Sequence, residues 1–222
     1  MNKAEARTHS LNLRKSLSEK QVKEANMAIL AQFKTIDFSN ISHLHLFLPI
    51  AGKNEVNTQL LANWLRENQP AIRLVLSKSD TKQHTLRHFV WDEHSTLETN
   101  QWGITEPTGG IEVEEKELDF ILVPLLAYDL HGNRVGYGKG FYDRFLSKCK
   151  KECIFIGLYL FDVIEEIDDL NRQFDENESN RESVDIKIVK NNPMRLAKKS
   201  RDGLDRTHPY YRSLSIILNE EL

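Results

Sequence analysis

Three glycines fall at alternate positions in Arg134-Val135-Gly136-Tyr137-Gly138-Lys139-Gly140-Phe141-Tyr142-Asp143-Arg144, although the whole chain of 222 residues holds only ten. Glycines so spaced let backbone N–H groups converge on an anion, and a helix starting near Gly140 would add the positive end of its dipole. Lys139 brings a mobile charge and Arg134 a planar fork, a combination suited to a polyphosphate. The spacing matches neither G-x-G-x-x-G nor the Walker pattern, so neither of those folds is inferred from it. The same residues also make a glycine-built strand-to-helix turn in which Phe141 and Tyr142 belong to the core and Asp143 caps the first helical turn. Both readings stand on the residues alone.

A second concentration of charge lies at the N-terminus. Lys3, Arg7 and Arg14 are offset by four and eleven positions, which at about 100° per residue brings them within roughly 40° of one helical stripe. With Glu5 and Glu19 nearby, an ordinary solvated face is the simpler account of that stripe. The net charge of −3 and pI near 6.3 give no global field for nucleic acid, so phosphate chemistry has to come from such local clusters. Cys149 and Cys153 match neither a C-x-x-C redox pair nor a zinc half-site, and no structural metal is expected from them. No apolar run approaches the roughly 18 residues of a spanning helix, and a soluble, cytoplasmic monomer with no membrane or nucleic-acid partner is expected.

The elements that must carry these residues follow from periodicity and caps. Asn2–Ser16 is rich in helix formers, and Ser18 with Gln21 forms a capping box for a second helix to about Lys34. Asn57 precedes Leu60, Leu61, Trp64 and Leu65 at helical spacing, which predicts a helix to Asn68. Strands are predicted at His43–Leu48, Ile72–Ser77, Thr85–Trp91, Leu118–Val123 and Ile154–Leu160, with a helix over Lys139–Lys150 between the last two. The 118 and 154 runs are almost unbroken apolar stretches, as in strands covered on both faces. The expected fold is therefore a three-layer α/β/α domain with a mainly parallel sheet and the N-terminal helices packed on it. One domain is assigned to residues 1–190. Between Asp162 and Glu182 nine acidic residues face two basic ones, and between Lys190 and Arg212 seven basic face two acidic, so 191–222 is set apart as a C-terminal extension of unknown role.

The stretch Val123–Leu146, VPLLAYDLHGNRVGYGKGFYDRFL, resembles the most characteristic segment of the 5-formyltetrahydrofolate cyclo-ligase family. Leu48-Pro49 followed by Glu55-Val56-x-Thr58, and Trp102-Gly103-Ile104-x-Glu106-Pro107, are similar to further segments of that family. Agreement runs in order from about Lys3 to Leu160. The resemblance implies ATP- and Mg²⁺-dependent closure of 5-formyltetrahydrofolate to 5,10-methenyltetrahydrofolate with release of ADP and phosphate. It also implies that Lys3 and Arg7 contact ATP, reversing the solvated reading of the N-terminal stripe. Arg134, Gly136, Tyr137, Gly138, Lys139, Gly140, Phe141 and Tyr142 would wrap the nucleotide phosphates, with Lys139, Arg134 and Tyr142 as the catalytic groups. Ile50 and Glu55 would line the folate side, with Tyr137 to Phe141 bordering both ligands and Trp102 offering a stacking face. Asp143 would hold Mg²⁺. A second magnesium carboxylate is expected from Asp185, in Asp185-Ile186-Lys187-Ile188, although Val189 stands where the family pattern has another Asp.

Two other classes fit parts of the chain. A sugar-phosphate isomerase or CoA-transferase-like enzyme would share the layered fold and glycine loop, but Lys139 with Asp143 suits a metal-bound nucleotide better than a lone sugar phosphate. A non-enzymatic RNA-binding module could use the basic tail, which lacks interleaved aromatics apart from Tyr210 and Tyr211.

Overall fold

The computed structural model of the chain describes residues 1–130, 133–161, 163–164, 166–168 and 187–189. The first two helices begin where their caps place them. At the head of α1 (Lys3–Ser16), the Asn2 side chain accepts from the N–H groups of Ala4 and Glu5, and Glu5 accepts from the Asn2 N–H in return. Ser18 and Gln21 make the same reciprocal pair at α2 (Glu19–Phe33). Each such cap satisfies orphan N–H donors of the first turn and is worth about 1 kcal/mol.

The strands are β1 (His43–His45), then, beyond helix α3 (Thr58–Asn68), β2 (Arg73–Asp80), β3 (Thr85–Val90), β4 (Leu97–Thr99), β5 (Thr105–Pro107), β6 (Glu112–Val113), β7 (Phe120–Pro124), β8 (Ala127–Tyr128) and β9 (Arg134–Val135). After helix α4 (Phe141–Leu146) come β10 (Ile154–Leu158) and β11 (Lys187–Val189). Seven of them form the central sheet in the order β11-β10-β7-β1-β2-β3-β6, parallel from β11 to β2 and antiparallel from β2 outward. β4–β5 and β8–β9 are separate two-stranded hairpins.

Strand β7 shows why the apolar runs are unbroken. Phe120 and Leu122 point into the cluster built with α2 and α3, while Ile121 and Val123 point into the cluster under α4. A two-residue period with both faces covered needs apolar side chains at every position. On the first face Phe33, Phe38, Trp64 and Phe120 interlock edge-on or tilted, with centroids 5.1–6.4 Å apart. The mainly parallel α/β layering is as expected, with α2 on the sheet and α1 laid against the β8–β9 hairpin through Ala6, Ala127 and Val135.

Three local expectations are corrected. The strand at 43–48 ends at His45, with one further bond from the Leu46 N–H to the Val75 carbonyl. The helix expected over Lys139–Lys150 is only Phe141–Leu146. It cannot start earlier because Gly138 and Gly140 hold φ of +86° and +68°, outside the right-handed helical region. The third concerns α1: Arg14 is 3% exposed, so the basic stripe leaves solvent at its C-terminal end.

Candidate active site

Asp129 fixes the hairpin that leads into the glycine run. Its buried carboxylate accepts from the Asn133 N–H and side-chain amide, each at 2.8 Å, and from the Ile167 N–H at 2.9 Å. That ties the β8–β9 turn to Ile167, whose neighbour Asp168 donates from its N–H to the Met1 carbonyl at the chain start. The N-terminal helix and the glycine run are thereby held as neighbours.

Two arginines then shape the run itself. Arg7 donates from Nε to the Gly136 carbonyl at 2.9 Å, and its guanidinium lies under Gly138, where a Cβ would stand 3.2 Å from Cζ. Arg144 folds back across α4 to donate to the Lys139 carbonyl at 2.7 Å and to the His84 carbonyl at 2.8 Å, at the tip of the β2–β3 hairpin. A Cβ on Gly140 would come within 2.9 Å of that guanidinium. Glycine is thus favoured at both positions by the positive φ, and a side chain there would also displace the guanidinium beside it. The Lys139 side chain is exposed and its ammonium has no partner among the described residues, whereas Arg134 donates to Asp143 Oδ1 at 2.7 Å. Asp143 is therefore not the first-turn cap: Gly140 occupies that position without a side-chain bond. A helix of six residues also contributes little dipole, so an anion held at this loop would depend on its charges and backbone.

On the opposite side of the site, Glu55 is only 6% exposed. Its Oε1 accepts from the Tyr137 hydroxyl at 2.5 Å and from Arg14 Nη1 at 3.3 Å, and its Oε2 accepts from the Ile50 N–H at 2.9 Å. Losing one partner of such a buried pair costs about 3–5 kcal/mol, because the other charge is left uncompensated. Burial, reinforced by the Glu55 carboxylate, pushes the Tyr137 phenol up, so it remains a hydrogen-bond donor at neutral pH. Gly103, in the β4–β5 turn, stands over Ile50, with its Cβ position 3.5 Å from Ile50 Cγ2. Trp102 in that turn is 52% exposed, so it is a surface aromatic beside the Ile50 segment and no part of the core. The structure thus brings Arg7, Gly136–Asp143, Glu55 and Ile50 into one region, bordered by Trp102. Lys3 lies one helical turn before Arg7, partly exposed.

Beneath the site, on the α4 face of the sheet, Ser77 Oγ bridges His45 Nε2 at 2.7 Å and His88 Nδ1 at 3.0 Å. Both imidazoles are buried, and His45 Nδ1 and His88 Nε2 have no hydrogen-bond partner among the described residues. The His45 ring lies 5.0 Å from Phe145 and 6.2 Å from Tyr142, which is itself half-buried, its hydroxyl pushed up by burial and by Glu55. Burial lowers His45 well below its ordinary value and His88 to about 4, the latter opposed by Glu115 and Glu112 and reinforced by Lys148. Nothing in the sequence distinguished these two from surface histidines. The sign of the consequence follows from proton counts: below about pH 6.5 the unfolded chain binds protons that the folded chain excludes, so stability falls with pH. For His88 alone the loss between pH 6.5 and 4 is about 3 kcal/mol. Urea unfolding at pH 7, 6 and 5 should show a descending stability, with a shallower descent in His88→Gln; identical slopes in the two proteins would refute the assignment.

Of the two carboxylates expected at a magnesium ion, Asp143 fits. Its side chain is 65% exposed, only Oδ1 is engaged, and a hard cation needs few protein oxygens when phosphate and water supply the rest. Asp185 lies outside the described residues. Among those residues no cluster of three or more His, Cys, Asp or Glu could hold a metal by itself, and no helix is long and apolar enough to cross a membrane. Sequence reasoning missed Arg14 as a buried hub, because its side-chain partners lie far along the chain, and Arg144 as a brace, because its reach to the Lys139 and His84 carbonyls depends on the folded path.

The chain is similar to known proteins of one family. The profile of the 5-formyltetrahydrofolate cyclo-ligase family matches residues 1–169. A 5-formyltetrahydrofolate cyclo-ligase of Haemophilus influenzae is 30% identical over 156 residues, covering 68% of this chain and 82% of that protein. The solution structure of Aquifex aeolicus 5,10-methenyltetrahydrofolate synthetase superposes with a TM-score of 0.64 at 30% identity, covering 76% of this chain and 84% of that one. A 5,10-methenyltetrahydrofolate synthetase from Mycoplasma pneumoniae shares the fold, with a TM-score of 0.61 at 24% identity over 77% of this chain and 93% of that one.

Proposed function

The chain belongs to the 5-formyltetrahydrofolate cyclo-ligase family and is an enzyme of the ligase class, and from that premise we propose that ATP drives its closure of 5-formyltetrahydrofolate to 5,10-methenyltetrahydrofolate. The formyl oxygen on N5 attacks the γ-phosphorus and ADP leaves. N10 then attacks the activated formyl carbon, the C–O bond to phosphate breaks, and N10 gives up its proton. An amide-like oxygen is a poor leaving group until phosphorylated, and the second step gains from having both reactants in one molecule. The protein's task is then charge placement.

The observation that carries this reading is the unpartnered Lys139 ammonium on a loop braced from below by Arg7 and Arg144. Lys139 meets the transferred phosphoryl group, and Lys3, Arg7 and Arg134 meet the remaining phosphates. Gly136, Gly138 and Gly140 admit the nucleotide against the backbone, with Phe141 and Tyr142 packed behind it. Glu55 and the Ile50 segment face the folate, Tyr137 stands between the two ligands, and Trp102 covers the pterin. Asp143, together with Asp185, would hold Mg²⁺, which would neutralise phosphate charge. Residues 191–222 lie beyond the matched region, and truncation after Asn191 should leave ring closure largely intact.

Mixing the protein with 5-formyltetrahydrofolate, Mg²⁺ and ATP should raise the near-ultraviolet absorbance of the conjugated methenyl bridge, with one ADP released per ring closed. Equal product without ATP would overturn the proposal.

A further inference from the structure

We propose that Arg14 is a positioning residue that sets the spacing between the folate-side segment 50–55 and the phosphate loop, an inference that rests on the reading above. Its guanidinium is buried and touches three separate parts of the chain: Nη1 donates to Glu55 Oε1 at 3.3 Å and to the Tyr137 hydroxyl at 3.4 Å, and Nη2 donates to the Leu125 carbonyl at 2.6 Å. Its own carbonyl accepts from the Asn54 side chain at 2.7 Å. One side chain therefore joins α1, the 50–55 segment, the end of β7 and the glycine run.

Two observations and one general argument separate this from a phosphate contact or a packing role. Arg14 is out of reach of a solvent-borne ligand, unlike Arg7 on the same helix face. A buried charge is a poor way to fill space, since well-packed apolar residues are often as stable. Its Nε is buried without a hydrogen-bond partner among the described residues, a cost that packing alone gives no reason to retain. The fork is needed because two loops carrying different ligands must be held at a fixed separation, and transfer from γ-phosphate to formyl oxygen is sensitive to displacements of about 1 Å. Lysine could keep a charge beside Glu55, but a single ammonium lacks the planar fork that reaches Tyr137 and Leu125 together.

The test is Arg14→Lys in the full chain, with kcat, both KM values and the dissociation constant for ATP measured. A fall in kcat of about 30-fold is expected, with ATP affinity and both KM values changed by less than about threefold. Tyr137→Phe should show the same split, and the double variant should lose far less than the product of the single losses. If Arg14→Lys folds poorly, Tyr137→Phe decides, because it removes the link to the glycine run and leaves the bonds to Glu55 and Leu125. Unchanged kcat, multiplicative losses, or an effect confined to KM would overturn the proposal while leaving the proposed reaction standing. An intact protein with no ATP-dependent ring closure would overturn both.

Discussion

Lys139→Met is expected to lower turnover by about 100- to 1,000-fold, the range found when one charge-stabilising donor is removed from a transition state, while the melting temperature stays within about 2 °C. The two numbers separate because of where the side chain sits. Lys139 is exposed and its ammonium has no partner among the described residues, so methionine removes nothing from the packed structure. The loop conformation is held by other groups, the Lys139 carbonyl by Arg144 and the Gly136 carbonyl by Arg7, and neither bond uses the lysine side chain. Loss should therefore fall on phosphoryl transfer, with kcat reduced more than ATP affinity. Stopped-flow absorbance for turnover and thermal unfolding for stability measure the two sides. A collapsed melting temperature, or turnover within threefold of the parent, would remove Lys139 from the reaction.

Asp143→Asn should leave a folded protein whose turnover at limiting Mg²⁺ drops by about 30- to 100-fold and recovers in part as Mg²⁺ is raised. The stability side is small. The pair with Arg134 is largely exposed on the Asp143 side, and such pairs contribute about 0.2–1 kcal/mol. Gly140, not Asp143, occupies the cap position of α4, so no cap is lost. Because the substitution also releases Arg134, Arg134→Gln is the necessary companion: it should raise the KM for ATP without changing the Mg²⁺ concentration needed for half-maximal rate. If both variants shift the Mg²⁺ requirement equally, Asp143 acts by holding Arg134 and not as a ligand. If Asp143→Asn is unaffected at limiting Mg²⁺, its carboxylate serves only the ion pair.

These two experiments rest on residues that stand out in the sequence, and the reason is locality. Gly136, Gly138, Lys139, Gly140 and Asp143 lie within eight consecutive positions, so composition and spacing expose them without any knowledge of the fold. Asn2 with Glu5 and Ser18 with Gln21 are equally legible, because a helix cap is formed by residues three apart. The unbroken apolar run at Phe120–Val123 announces a strand covered on both faces, since alternation itself reveals which sides are wet.

What tertiary structure decided is where side chains go once the chain has folded back on itself. Lys3, Arg7 and Arg14 share a stripe on paper, yet Arg7 lies under a glycine 131 residues away and Arg14 is buried against Glu55, 41 residues away. The stripe is one face of α1, and only the path of the 50–55 segment and of the β8–β9 hairpin determines which part of that face is covered. The helix after Gly140 is about half the length that the sequence pattern predicts, because its starting point depends on positive φ angles and on Arg144 reaching back to the Lys139 and His84 carbonyls. His45, Ser77 and His88 come from three strands and meet only through the β1–β2–β3 register, where His88 stands opposite Ser77 and His45 lies on the neighbouring strand. Short-range capping and periodicity are properties of the sequence by itself; charge burial and the meeting of distant side chains depend on the folded path, because the electrostatic environment of a group is set by neighbours in space and not along the chain.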